Sequence, residues 1–221
     1  MTADRPTHNE HSKALQHRRK AWAKLAPKYD KKIGFFETKV LGEEHRAWAC
    51  SQATGDTLEV AIGTGLNLPH YPLDVLLTGI DLSPEMLAIA RDRATEFDRS
   101  VDLREADAQA LPFPDASFDA VVCTYSLCNV PDDSIAIDEM KRVLKPGGRL
   151  ILVDHIRSAV KPIFWIQKMW EFFSIRIDGD HQTRRPSLHV KAAGFDVQTR
   201  DRMRWGILER LVAVKPKVMH N

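Results

Sequence analysis

The stretch LEVAIGTGLN, Leu58 to Asn67, decides the fold. Apolar residues run into a glycine pair, Gly63 and Gly65, with one carboxylate, Glu59, just upstream. This is how the first strand and turn of a nucleotide-binding fold reads. Glycine lets the backbone bend sharply and approach a ligand with no Cβ in the way. A dinucleotide fingerprint has a third glycine, and Leu68 stands at that position. Taken alone, a Gly-x-Gly after a strand is also an ordinary tight turn.

Working outward, strands and helices alternate. VLLTGID (Val75 to Asp81) reads as a buried strand. SPEMLAIARDRATEF follows as a helix, with Ser83 as cap, Pro84 at its first position and Glu85 in its first turn. VDLREAD is a short strand and FDAVVCTYS a fourth, in which Val121 and Val122 favour the pleat. DDSIAIDEMKRVL is an amphipathic helix closed by KPGG, and GRLILVDH is the fifth strand. FDVQTRDRM and GILERLVAVK add two more strands. Such alternation predicts an α/β fold with parallel pairing and right-handed crossovers.

Upstream, His11 to Lys32 carries eight Lys or Arg against one acid, Asp30, with Leu15, Trp22, Leu25 and Tyr29 at helical spacing. This is a basic amphipathic arm, and a second helical pattern runs from about Ile33 to Cys50. The expected organisation is an N-terminal helical lid over residues 1–50 and a core over 51–221, within the size of one α/β domain.

Bulk properties exclude several classes. With 43% hydrophobic and 28% charged residues the chain is globular, not disordered. A net charge of +2 argues against nucleic acid as the main partner. No apolar run is long enough to span a bilayer, and the N-terminus lacks the apolar stretch of a secretory signal. Cys50, Cys123 and Cys128 have no metal-ligand or redox spacing, and neither do His181 and His189. No metal is expected, and scattered thiols suit a reducing cytoplasm.

Ligands of doubly wound sheets sit beyond the carboxyl ends of the strands, so the strand tips carry the chemistry. The second strand ends in Asp81, whose two oxygens can accept from both hydroxyls of a ribose. The third is followed by Asp107, placed to accept from an adenine amino group, and the fifth ends in Asp154 and His155. Each has a plainer reading: Asp81 as part of a helix cap, Asp107 as a surface acid, His155 as a partner for a backbone group. Their occurrence at successive strand ends favours a nucleoside site.

LEVAIGTGLN, GIDLSPEML, EADAQALPFPDASFD, LCNVPD and LKPGGRLILVDH, in that order, resemble the motifs of class I S-adenosylmethionine-dependent methyltransferases. The resemblance covers about Thr57 to His155. It implies a Rossmann-like fold, a seven-stranded mostly parallel sheet with helices on both faces and an N-terminal helical lid. It also implies S-adenosyl-L-methionine as cofactor, with S-adenosyl-L-homocysteine as product. Carried over, Glu59, Gly63, Thr64, Gly65 and Asn67 belong to the loop at the methionine end. Asp81, Leu82 and Met86 go to the ribose side, Asp107 and Ala108 to adenine, and Tyr125 to the same pocket. Tyr29, in the segment PKYD, matches a tyrosine that closes over the cofactor. Ala61 stands where many members have glycine, and a single added methyl is expected to be tolerated.

The flanks leave the acceptor open. The PKYD arm is similar to that of quinone-biosynthesis C-methyltransferases and bacterial phospholipid N-methyltransferases. The segment from DHIRS through WEFFSIRIDGDHQTRR to LERLVAVK is similar to membrane-associated thiol S-methyltransferases. A small apolar or amphipathic acceptor is expected, with His155 as candidate base, Asp154 to orient it and Tyr29 beside the reacting groups. In the helix KPIFWIQKMWEFFSIRI, residues Ile163, Ile166, Met169, Trp170 and Phe173 form one face, expected to be mostly buried against the sheet. Its other use would be an acceptor pocket or, for a cytoplasmic protein, a peripheral contact with a membrane of anionic lipid. An NAD-dependent oxidoreductase, which would need the missing glycine, and a non-catalytic binding module are the rival readings.

Overall fold

The computed structural model describes residues 8–36, 44–177 and 179–217. The elements are α1 (His8–Phe36), α2 (Glu44–Ser51), β1 (Asp56–Val60), a single 3-10 turn (Leu68–His70), β2 (Leu76–Asp81), α3 (Pro84–Glu96), β3 (Val101–Glu105), β4 (Phe118–Thr124), α4 (Asp133–Val143), β5 (Leu144–His155), α5 (Lys161–Ile177), α6 (Pro186–Ala192), β6 (Asp196–Met203) and β7 (Leu208–Val214). They build one seven-stranded sheet in the order β3-β2-β1-β4-β5-β7-β6. The first five pair in parallel and β7 runs antiparallel between β5 and β6. The parallel part is what the alternation predicts, and the whole is the seven-stranded, mostly parallel Rossmann-like sheet that the resemblance implies.

Period-two side chains divide the core between the faces. Val121, Cys123, Leu150 and Leu152 join Ile137 and Met140 of α4 on one side. Ala120, Val122, Ile151 and Val153 join Ala49 and Cys50 of α2 and Leu87 of α3 on the other. Helix starts follow local chemistry. Ser83 accepts from the Met86 amide at 3.3 Å, and Asp132 accepts from Ser134 and Ile135 at 2.9 and 3.3 Å. Both cover otherwise orphaned first-turn N–H groups.

Three expectations change. Helix α1 does not end near Lys32 but continues through Gly34 to Phe36, and the second helix is described over Glu44–Ser51. Residues 37–43 lie outside the described residues. KPGG is not a turn between helix and strand but a bulge inside β5, where Phe118 pairs with Leu144 and Ala120 with Arg149. Gly147 donates to the Lys215 carbonyl at 2.8 Å and Gly148 accepts from the Lys215 amide at 2.9 Å, so the bulge stays bonded to the chain after β7. The third concerns α5. Gln167, Glu171 and Ser174 turn inward, whereas Trp165, Ile166, Met169, Trp170, Phe172 and Phe173 face solvent at 53–68% exposure. The apolar face points away from the sheet.

Ala61, at the tip of β1, has φ of 56°, and Tyr125, just past β4, has φ of 54°. An L-residue with a side chain is strained there by about 1–2 kcal/mol, so the alanine is not neutral at this position. Replacing Ala61 with glycine should relieve that strain against a smaller entropic loss, for a net gain of about 0.5–1 kcal/mol. Thermal unfolding of A61G should rise by about 1–4 °C. An unchanged or lower midpoint would show that the methyl makes contacts worth more than the strain.

Candidate active site

The chain begins its sheet at β1, moves outward through β2 and β3, and returns to β4 on the far side, so the switch point lies between β1 and β4. A cleft opens there, at the carboxyl ends of the strands, as expected for this topology. About 700 Å³ of space lies within it, part of it open to solvent.

Eight of the residues expected at the site line this cleft: Tyr29, Gly63, Asp81, Leu82, Met86, Asp107, Ala108 and Tyr125. Asp81 is the organising group. Its Oδ2 accepts from the Gly63 amide at 2.9 Å and its Oδ1 from the Ser83 amide at 2.8 Å, which ties the glycine loop to the tip of β2. Burial pushes its carboxyl up to about 6, and the Ser83, Gly63 and Leu82 amides pull it back. It is therefore an anionic acceptor at neutral pH, with lone pairs left for a ligand's hydroxyls. Asp107 is held across the cleft by its own turn, Oδ1 accepting from the Gln109 amide at 3.0 Å. Between the two acids the walls are apolar, formed by Ile80, Leu82, Met86, Ala106, Ala108 and Val130.

The remaining loop residues lie beneath or behind the cleft. Gly65 has φ of +79°, and a Cβ there would stand 2.7 Å from Leu68 and 3.3 Å from Ala90 of α3. Its role is close packing of loop on helix, whereas Gly63 has open space around it. Thr64 donates to Asp30 Oδ1 at 2.6 Å, and Arg93 of α3 bonds Asp30 Oδ2 at 2.5 Å. Asp30 of α1 is thus latched to the glycine loop. Glu59 and Asn67 belong to a buried network: Asn67 Nδ2 donates to Glu59 Oε1 at 2.8 Å and to Thr124 Oγ1 at 3.0 Å. Arg46 of α2 donates to Asn67 Oδ1 at 3.0 Å and to Thr124 Oγ1 at 3.1 Å, and lies 4.9 Å over the Tyr125 ring.

Asp154 and His155 stand at the tip of β5 but do not line the cleft. Asp154 is buried and accepts from the Cys128 amide at 3.2 Å, and His155 Nε2 lies 3.0 Å from Asp180 Oδ1. Sequence reasoning missed Arg46, Asp30 and the Leu15, Arg18 and Trp22 face of α1, which covers the cleft. Arg46 shares a helix face with Ala49 and Cys50, so an arginine on an apolar face was the available signal. Two acids flanking an apolar slot, with an uncluttered glycine at one end, fit a nucleoside carrying an amino-acid tail. Nothing in the loop forms the closed glycine cradle of a pyrophosphate.

Burial pushes the Glu59 carboxyl from its ordinary 4.5 up to about 7, with the Tyr71 hydroxyl, Arg46 and Asn67 pulling it back. The folded protein therefore holds this proton more tightly than the unfolded chain does. Stability on this account falls as pH rises from about 4.5 to about 7. Asp81 adds a slope of the same sign below about 6. Glu59→Gln should remove its share, shrinking the loss of denaturant-measured stability across that window by on the order of 2–3 kcal/mol. A slope equal to that of the wild type would contradict the burial assignment.

Comparison with known proteins agrees with this geometry. Residues 58–152 match the family model described as a methyltransferase domain. Over 116 residues the chain is 41% identical to a phosphatidylethanolamine N-methyltransferase of Cereibacter sphaeroides, spanning 52% of this chain and 57% of that protein. Over 161 residues it is 35% identical to a demethylmenaquinone methyltransferase of Deinococcus radiodurans, spanning 70% and 67%. The chain thus spans between about half and two thirds of the length of these curated relatives. A solved structure from Thermotoga maritima, described as a methyltransferase and possible histamine N-methyltransferase, shares the fold with a TM-score of 0.68. It is 23% identical, over 88% of this chain and 98% of that one. With the cleft at the switch point, the acid-flanked slot and these relatives together, the chain belongs to the class I S-adenosylmethionine-dependent methyltransferases.

Proposed function

We propose that this protein transfers a methyl group to a small apolar or amphipathic acceptor taken from the surface of a membrane. When bound, S-adenosylmethionine supplies an already activated sulfonium methyl, so the protein's task is mainly to position the acceptor and exclude water. Asp81 would hold the ribose hydroxyls, Asp107 and Ala108 would meet the adenine, and Gly63 would admit the methionine end. Residues 1–50 include the lid: Tyr29 and Trp22, packed edge to face at 6.0 Å, close over the cleft, and the Asp30 latch to Thr64 and Arg93 holds them down. His155 and Asp154 support the cleft wall from behind and do not touch the acceptor, because both lie outside its lining.

The inverted helix α5 carries the reading of the acceptor. Its inward face is polar: Gln167 donates to the Ile156 carbonyl at 2.9 Å, and Glu171 accepts from the Thr183 amide and hydroxyl at 3.0 and 2.8 Å. Its outward face exposes Trp165, Ile166, Met169, Trp170, Phe172 and Phe173, with Trp205 at 70% exposure on the adjoining β6–β7 turn. Ser158, near the start of α5, donates to the Trp205 carbonyl at 2.8 Å, which fixes the two together. Lys161 and Lys168 are the exposed charges among the described side chains of α5, and Lys168 pairs with its one acid, the buried Glu171, at 3.3 Å. The exposed side of α1 carries Lys20, Lys24, Lys28, Lys31 and Lys32, whereas Arg19 pairs with Glu105 of β3 at 2.9 Å. Apolar rings rimmed by cations suit an anionic lipid surface, aromatic residues settling at the headgroup level.

Arg18 of α1 links this face to the cleft, donating to the carbonyls of Asn129, in the cleft wall, and of Gly179, at 3.3 Å for the latter. An acceptor leaving the lipid would thus enter near the end of α5. The relatives are named for phosphatidylethanolamine and demethylmenaquinone, both with long apolar tails. Among the described residues no helix is long and apolar enough to cross a membrane. A peripheral rather than spanning position is the reading that the exposed face of α5 supports.

The test pairs transfer of labelled methyl with vesicle binding. Thiols, amines, phenols and lipid-borne quinols or aminolipids are offered with and without phosphatidylglycerol-containing vesicles. Turnover should depend on vesicles. Replacing exposed Trp170 and Phe173 by serine should weaken vesicle partitioning at least about tenfold while leaving S-adenosylhomocysteine affinity unchanged. Turnover confined to water-soluble acceptors, or partitioning indifferent to the double variant, would defeat the membrane reading. No transfer to any acceptor, with cofactor bound, would favour a non-catalytic module.

A further inference from the structure

Three side chains from three separate segments converge behind the cleft wall: Cys128 in the β4–α4 loop, His155 at the end of β5 and Asp180 between α5 and α6. One ligand atom from each lies within 4.8 Å of the others. We propose that Cys128, His155 and Asp180 bind a divalent transition metal of the zinc class. The proposal is independent of the methyl-transfer reading, and it departs from the expectation of no metal that the residue spacing supports.

The donor set carries the choice of metal. Thiolate, imidazole and carboxylate are the ligands zinc takes, and the sulfur disfavours magnesium and calcium. Metal–ligand distances of about 2.0–2.3 Å in a tetrahedron put ligand atoms about 3.3–3.7 Å apart. His155 Nε2 and Asp180 Oδ1, at 3.0 Å, are already close to that spacing. Bringing the Cys128 sulfur into place needs about 1 Å of side-chain adjustment. On binding, the thiol releases its proton to solvent and the sulfur–metal bond forms, with no change of oxidation state.

A second observation concerns the other nitrogen of the ring. His155 Nδ1 lies 3.4 Å from Asp154 Oδ1, and a carboxylate behind the imidazole is the arrangement that orients metal-bound histidines. Asp154 is itself fixed, Oδ2 accepting from the Cys128 amide at 3.2 Å and Oδ1 from the His155 amide at 2.8 Å. The loops are also tied to one another. The His181 amide donates to the Cys128 carbonyl at 3.0 Å, the Ser174 hydroxyl donates to the Asp180 carbonyl at 2.8 Å, and Gln182 donates to Asp180 Oδ2. A thiol and two carboxylates thus surround one imidazole. His155 and Asp180 keep 15% and 17% of their side chains exposed, so an ion could reach them from solvent.

Cobalt(II) titration of the untagged full chain tests this, because a cobalt–thiolate bond gives a near-ultraviolet charge-transfer band that no structural role of these residues would produce. The wild type should develop the band and saturate near about one metal per chain, displaceable by zinc. Cys128→Ser should abolish it, and Cys50→Ser should keep it. Because Cys128 is buried, Asp180→Asn, at a partly exposed position, serves as the second variant and should lower affinity by more than roughly 100-fold. Asp154→Asn should retain the band with affinity reduced about 10–100-fold, as for other carboxylates behind a metal-bound histidine. No thiolate band in the wild type, a band that survives Cys128→Ser, or undiminished affinity in Asp180→Asn in a chain that melts cooperatively would overturn the proposal.

Discussion

The cleft depends on one buried junction, where Asn67 joins Glu59 of β1, Thr124 of β4 and Arg46 of α2. β1 and β4 are the strands between which the chain reverses its direction of travel, so their tips would otherwise splay. The amide of Asn67 bridges them and the guanidinium of Arg46 closes the network from the helix side. Unpaired polar groups in a core are costly, so the loss of any one of these partners weakens the junction. With the tips held, the glycine loop takes one path, and Asp81 can bind its Gly63 amide while keeping capacity for a ligand.

Much of this was legible because it is local. The strand ends, the Ser83 cap and the placing of Asp81 and Asp107 follow from periodicity, capping chemistry and the rule that ligands sit at strand tips. The missing third glycine found its explanation too: Leu68 fills space against Gly65, and the loop packs on α3 instead of wrapping a pyrophosphate. What escaped was long-range. Asp30 was passed over beside Tyr29, yet it is the residue latched to Thr64 and Arg93, more than thirty positions away. The Cys128, His155 and Asp180 group has no spacing to read, since each ligand comes from a different loop.

Helix α5 shows a different limit. Its apolar stripe was read correctly as a stripe, but periodicity does not say which way a stripe faces. The deciding residues are the polar ones: Gln167, Glu171 and Ser174 have partners in the 156–183 region that only the inward orientation supplies. Six large apolar side chains are left outside as a consequence. A globular protein seldom exposes so contiguous a patch without a use for it.

The central claim is that this cleft is built for S-adenosylmethionine, with Asp81 as its principal anchor. Calorimetric titration with S-adenosylhomocysteine, run in parallel on the wild type and Asp81→Asn, tests it most directly. The account predicts a single saturable site in the wild type, affinity about 10–100-fold weaker in the variant, and no binding of NAD. Equal affinity in the two proteins, or binding of NAD in place of the homocysteine compound, would contradict it.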